Sequence, residues 1–239
     1  MTIIWSSNNV IREDNMKKVI DHIKTLKKNN PHFKVIDLGG ASNPWADEVV
    51  DVYVDLFDLP GKNIIKGNIL DEKTWQEIEK NKFDFCICTH VLEDIRSPDF
   101  VINKINKNFR SGYISMPCKH TELSWVDTDK FIGYHHHRWI FTLRNGKLLA
   151  VAKFPALQLL NKKRKYGFME KIKNKLLQKP LIKNYIDINW IDTKINKKNN
   201  DLAFIFKNGF EFEYIDGDYA GKGIDELLSL YQEKLAEGL

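Results

Sequence analysis

The sequence predicts an α/β fold: a mostly parallel, seven-stranded sheet, wound on both faces by helices, with an insertion after the fifth strand. Two observations carry this expectation. Short apolar runs alternate with amphipathic helical stripes over the first half of the chain, joined by short connections. The first of these buried runs also ends in paired glycines, as a strand turning sharply into the next segment does.

Taken in order, residues 1–30 are expected to form an N-terminal helical segment. Within it, Met16, Val19, Ile20, Ile23 and Leu26 recur at helical spacing from Asp14 to Lys28, and Asn29-Asn30-Pro31 ends the stripe. Strands follow at Phe33–Leu38, Val49–Leu56, Ile64–Ile65, Phe83–Thr89 and Tyr113–Met116, the last opened by Gly112 and stopped by Pro117. Between them lie a helix carrying Trp75 and Ile78, with Asp71 as its expected N-cap, and a helix over Asp99–Phe109.

Beyond Pro117 the rhythm breaks. Thr121–Trp139 is rich in His, Trp, Asp and Tyr and shows no period, and residues 118–185 are expected to form an insertion or lid. Within it, Asn145-Gly146 predicts a hairpin over Phe141–Val151. Tyr185–Ile191 and Leu202–Tyr214 are expected as closing strands and Ile224–Leu235 as a final helix, all within one domain over residues 1–239.

Hydrophobic residues at 43% and charged residues at 29% fit a folded chain and exclude wholesale disorder. The net charge of +5 is uneven: Lys162–Lys183 holds nine basic residues against Glu170 alone, leaving the remainder slightly acidic. That segment reads as a solvated lid helix, an electrostatic collar for phosphorylated acceptors, or a membrane-surface helix. Nucleic acid is not the expected partner, because stacking aromatics do not accompany the basic face. Cys86, Cys88 and Cys118 show no paired metal spacing, and the first two read as buried core positions. No apolar run reaches the ~20 residues that span a bilayer, and the expectation is a cytoplasmic chain, with a homodimer left open.

Asp37-Leu38-Gly39-Gly40 places glycines where backbone can approach a ligand and where unpaired N–H groups point outward. The glycines are adjacent and no third one follows, unlike the G-x-G-x-x-G spacing that cradles a diphosphate. A smaller ligand without a diphosphate is implied. Asp55 ends the second of these strands, 16 residues after Gly39, where an acid can accept from both ribose hydroxyls.

With these residues in place, the stretch from Phe33 to Pro117 resembles the class I S-adenosylmethionine (SAM)-dependent methyltransferases, the small-molecule, type 11-like branch in particular. Val35–Gly40 looks like the family's first motif and Asp55 its ribose-binding acid. Gly67–Asp71 resembles its adenine-binding motif, with Asn68 where Asp is commoner. Phe83–Asp94 resembles its fourth motif, around His90-Val91-Leu92-Glu93, and Phe109–Pro117 its next strand.

The resemblance implies a Rossmann-like fold and SAM as cofactor, held by Asp37, Gly39, Gly40, Ala41, Asp55, Leu56, Asn68, Ile69 and His90. It implies methyl transfer to oxygen or nitrogen of a small polar acceptor. A sugar, nucleotide-sugar or phosphorylated metabolite of surface-polysaccharide assembly is the preferred class. An RNA or protein methyltransferase, or a non-catalytic module holding SAM or a nucleotide, are the alternatives. His90 is read as a catalytic base or as a cofactor and structural contact, with Glu93 one turn on facing substrate.

Tyr134-His135-His136-His137-Arg138-Trp139 is the chain's most unusual run. His135 and His137 are candidate catalytic bases, and His136, Arg138 and Trp139 candidate substrate contacts, Arg138 suiting a phosphate or carboxylate. A strand would bring His135 and His137 to one face near His120 or Asp127. That spacing matches no specific metal motif, so no metal ligands are assigned. A polar loop packing Trp139 and bonding its imidazoles internally is the plain alternative.

Overall fold

The computed structural model describes residues 1–122, 133–153 and 200–215. The Lys162–Lys183 segment, the Tyr185–Ile191 strand, the Ile224–Leu235 helix and most of the insertion fall outside them.

The main sheet is built from β1 (Thr2–Ile11), β2 (Val35–Leu38), β3 (Val52–Asp55), β4 (Ile64–Lys66), β5 (Phe85–Thr89), β6 (Ser111–Pro117) and β9 (Asn200–Lys207). Their spatial order is β1-β9-β6-β5-β2-β3-β4. Strands β6, β5, β2, β3 and β4 run parallel, whereas β9 is antiparallel to both β6 and β1. The parallel strands are apolar on both faces, as strands sandwiched between layers must be. All five residues of β5 are buried.

Alternation along these strands splits the interior into two cores. One face of the sheet joins Val35, Phe85, Ile87, Tyr113 and Ala203 to Val19 and Ile23 of α1 (Arg12–Asn29). The other joins Ile36, Leu38, Cys86, Cys88, Ile114 and Phe204 to Trp75 and Ile78 of α2 (Glu72–Lys80) and to Val101, Ile102 and Ile105 of α3 (Pro98–Asn108). Helices thus cover both faces, and each buries its apolar stripe. Asp71 occupies the N-cap position of α2 but makes no side-chain capping bond.

A smaller three-stranded sheet adds to the second core. It comprises β7 (Trp139–Arg144), β8 (Lys147–Ala152) and β10 (Glu211–Tyr214), ordered β10-β8-β7. The Asn145-Gly146 turn forms as expected, both residues at positive φ (52° and 75°), which is what a two-residue hairpin requires. Before the hairpin, the chain passes through the short helix α4 (Lys119–Glu122).

The main departure from the sequence reading lies at the N-terminus. Residues 2–11 are an edge strand, not part of a helical segment. The polar run Ser6-Ser7-Asn8-Asn9 hides a strand pattern, and the strand forms because β9 offers an edge to pair with, interrupted by two register shifts. Asn8 then ties the two sheets together: its Nδ2 donates to the Leu143 carbonyl and its Oδ1 accepts from the Leu143 N–H, each at 2.8 Å. Among the described residues, no helix is long and apolar enough to cross a membrane.

Candidate functional site

From β2 the chain moves to β3 and β4 on one side, then crosses back to β5 on the other. Ligands of open parallel sheets bind in the crevice outside the carboxyl ends of the strands at such a reversal. A cleft of about 300 Å³ opens there, between the turn after β2 (Gly39, Gly40, Ser42, Asn43, Trp45) and the end of β5 (Thr89, His90). Arg12 and Met16 of α1, Asp94, and Tyr134, His136 and His137 of the loop before β7 complete its lining.

The glycines are needed for contact, not only for turning. Gly39 has φ +92°, and a Cβ there would lie 2.6 Å from Val91 Cγ2, so the turns after β2 and β5 touch through it. A Cβ on Gly40 would collide with the Asp37 carboxylate. Asp37 is therefore covered directly by the turn; it is fully buried, and neither oxygen has a full hydrogen-bond partner among the described residues. Burial pushes its carboxyl up to about 7, the Gly40 amide partly opposing this and the charge of Asp55 adding to it.

His90 sits at φ +55°, a left-handed conformation uncommon outside glycine and concentrated at functional sites. Its N–H donates to the Ser115 carbonyl at 2.9 Å. Its ring is clamped: Nδ1 lies 3.2 Å from Glu93 Oε1 and Nε2 3.0 Å from Asp201 Oδ2. Burial alone would lower its pKa, but the bonds to Asp201 and Glu93 outweigh it and raise it to about 9. His90 is thus a cation at neutral pH, engaged at both nitrogens, a poor match to the base role that its position suggested. Asp201 also takes a forked pair of bonds from Arg12, at 3.1 and 3.2 Å, closing a network drawn from α1, β5 and β9.

A second charged group supports the opposite wall. Glu122, buried in α4, accepts from His137 Nδ1 at 2.5 Å and from the buried Lys153 ammonium at 2.6 Å. Lys153 donates also to the Tyr134 carbonyl at 2.7 Å. The loop is strapped to the segment after β5 as well: the Arg138 N–H reaches the Glu93 carbonyl at 2.7 Å and Trp139 Nε1 the Ile95 carbonyl at 2.9 Å. Gly133, at φ +62°, lets the chain pass close over Glu122 and Lys153, where any side chain would collide. Residues 133–138 form turns rather than a strand, so His135 and His137 do not share a strand face.

Of the residues singled out in the sequence, Gly39, Gly40, His90, His136 and His137 meet at the cleft, with Asp37 beneath it. Asp55 ends β3 farther along the same sheet edge, its Oδ1 3.4 Å from the Phe57 N–H, and Leu56 beside it is exposed. Asn68 caps its own turn, accepting from the Leu70 N–H. Ala41 and Ile69 are buried, and the Ile69 carbonyl accepts from Trp75 Nε1. Glu93 is buried behind His90, Trp139 packs on Tyr214, and His135 and Arg138 are exposed outside the cleft lining. Arg12, Asp94, Glu122, Lys153 and Asp201 were not found from sequence. Each is a lone charged residue whose partner is distant in the chain.

No protein-family model matches the chain, and no curated protein matches it. Among solved structures it is similar to WbdD, at 14% identity and a TM-score of 0.34, over 43% of this chain and 29% of that one. It is similar to the N-terminal domain of EvdMO1 with SAH bound, at 8% identity and a TM-score of 0.35, over 79% and 80% of the two chains. It is also similar to the methyltransferase domain of bacterial CtHen1-C, at 13% identity and a TM-score of 0.39, over 82% and 97%. The chain spans less than a third of the WbdD chain. With similarities this remote, the functional reading rests on the geometry of the cleft itself.

Proposed function

We propose that the chain is a class I SAM-dependent methyltransferase acting on a hydroxyl or amine of a small polar acceptor. A sugar, nucleotide-sugar or phosphorylated metabolite is the preferred class. The observation that carries the reading is the cleft at the β2/β5 reversal, floored by Gly39-Gly40 lying directly on the buried Asp37. A diphosphate is a poor fit to this floor. The adjacent Gly39 and Gly40, with no third glycine following, lack the spacing of a turn that cradles one. A zwitterionic ligand carrying an ammonium and a sulfonium suits the same surroundings, because Gly39 and Gly40 present bare backbone to the cleft.

When bound, SAM supplies a methyl group on a sulfonium, ready for in-line displacement. The protein's own task is then chiefly to position the reactants. Asp55, at the carboxyl end of β3, would accept from the ribose hydroxyls. Cationic His90, locked by Glu93 and Asp201, would hold the cleft wall in one conformation and offer positive charge to a carboxylate. The wall of Tyr134, His136 and His137 would receive the acceptor.

Calorimetric titration of the full chain with S-adenosylhomocysteine tests this. Binding is expected, and Asp55→Ala is expected to weaken it about 10- to 100-fold, the worth of charge-assisted hydrogen bonds. Absence of binding in the wild-type chain would end the reading.

A further inference from the structure

We propose that Asp94, His136 and His137 form a binding site for one divalent first-row transition-metal ion, zinc by preference. His137 Nε2 lies 3.6 Å and His136 Nε2 3.9 Å from Asp94 Oδ1, and each residue offers a ligand atom within 4.8 Å of the others. Those separations are too long for hydrogen bonds. They are close to what an ion would impose: donors about 2.0–2.1 Å from a tetrahedral zinc stand about 3.3 Å apart. Drawing the three ligand atoms in to about 3.3 Å from one another closes the set.

Two further features point to a cation. Asp94 Oδ1 is a buried oxygen with no hydrogen-bond partner among the described residues, and it faces both imidazoles. His137 carries the arrangement that prepares an imidazole to ligate. Its Nδ1 bonds to Glu122, which fixes the ring and leaves the Nε2 lone pair facing Asp94 and the cleft. Glu122 is itself held by Lys153. Two imidazoles and one carboxylate suit zinc and its first-row neighbours better than magnesium or calcium, which prefer oxygen donors alone.

This set differs from the one the spacing suggests, His135 and His137 with His120 or Asp127, because Asp94 lies more than forty residues before the histidines. Asp94, His136 and His137 all line the cleft, so the ion's open coordination position would face it and take an oxygen donor. Resting on the methyl-transfer reading, that donor is the acceptor's own oxygen.

The test uses the full chain, dialysed against chelator and titrated with Zn²⁺ by calorimetry in the absence of any methyl donor. Its outcome is thereby separate from that of the SAM assignment. Parallel addition of Co²⁺ reports coordination through its visible ligand-field absorption. One Zn²⁺ per chain is expected. Asp94→Asn and His136→Ala should each weaken binding at least about tenfold, and Glu122→Gln about 10- to 100-fold through His137. The exposed His32, on the far side of β2, serves as control, and His32→Ala should leave the affinity unchanged. His136 is exposed, so its removal keeps the fold even if the buried substitutions do not. No Zn²⁺ binding by the wild-type chain, or equal binding by Asp94→Asn and His136→Ala, would overturn the proposal.

Discussion

The two walls of the cleft are built on different principles. One is made of strand ends: Gly39-Gly40 and Thr89-His90 stand where they do because β2 and β5 are hydrogen-bonded neighbours. The other is a loop, residues 133–138, with no ladder to position it. Buried ionic and backbone bonds to Glu122, Lys153 and Glu93 hold it instead. The first wall inherits its precision from the scaffold, whereas the second depends on a few polar contacts, each of which is costly to lose. A scaffold wall suits a ligand common to a whole fold, and a strapped loop suits a partner particular to one chain.

The sharpest way to break the comparison is Glu122→Ala. It leaves the Lys153 ammonium buried without its carboxylate and frees His137, at an expected cost of about 3–5 kcal/mol in urea unfolding. Cofactor-product affinity should suffer less than this, because the strand wall is untouched. A loss of S-adenosylhomocysteine binding as large as the loss of stability would show that the two walls are one unit.

Asp37→Asn probes the strand wall through pH. The carboxyl group's folded value, about 7, lies above its ordinary 3.8. Its favourable contribution is therefore complete below about pH 4 and is lost as pH rises to about 7. The amide variant should match the wild type near pH 4 and exceed it at pH 7, by an upper bound of about 4 kcal/mol. Equal slopes of stability against pH for the two chains would refute this account of the buried carboxyl.

Gly40→Ala should cost about 1–3 kcal/mol by overpacking, since the new methyl group must displace the Asp37 carboxylate, and it should weaken binding at the turn. Smallest of all is Lys147→Ala on the β7–β8 hairpin. Its contacts to Glu211 and Glu213 are solvent-exposed, and neither melting temperature nor ligand affinity should change measurably.

The same division explains what could be read in advance. Helices α1, α2 and α3 and strands β2 to β6 follow from local periodicity, and the Asn145-Gly146 hairpin from turn chemistry. The strand wall was legible for that reason: its glycines and His90 sit at the ends of patterned elements. Strand β1 was not, because Ser6-Ser7-Asn8-Asn9 becomes a strand only when β9 is beside it. The loop wall was half legible. Its histidines stood out, but Glu122, Lys153 and Asp94 are ordinary charged residues until the fold brings them together. His90 was found, but its charge state was not, since Asp201 arrives from more than a hundred residues away.

That last contact has a consequence for how the site comes into being. The Arg12–Asp201 bond joins residues 189 positions apart, one just after the first strand and the other at the start of β9. Strands β2 to β6 all lie within residues 35–117 and are synthesised before β9. The clamp on His90 must wait for Asp201, and β1 for its partner strand. A ribosome would therefore release most of the sheet before the cleft could acquire its final charge distribution. The clamp on His90 is in this sense a late part of the cleft, completed when two distant parts of the chain meet.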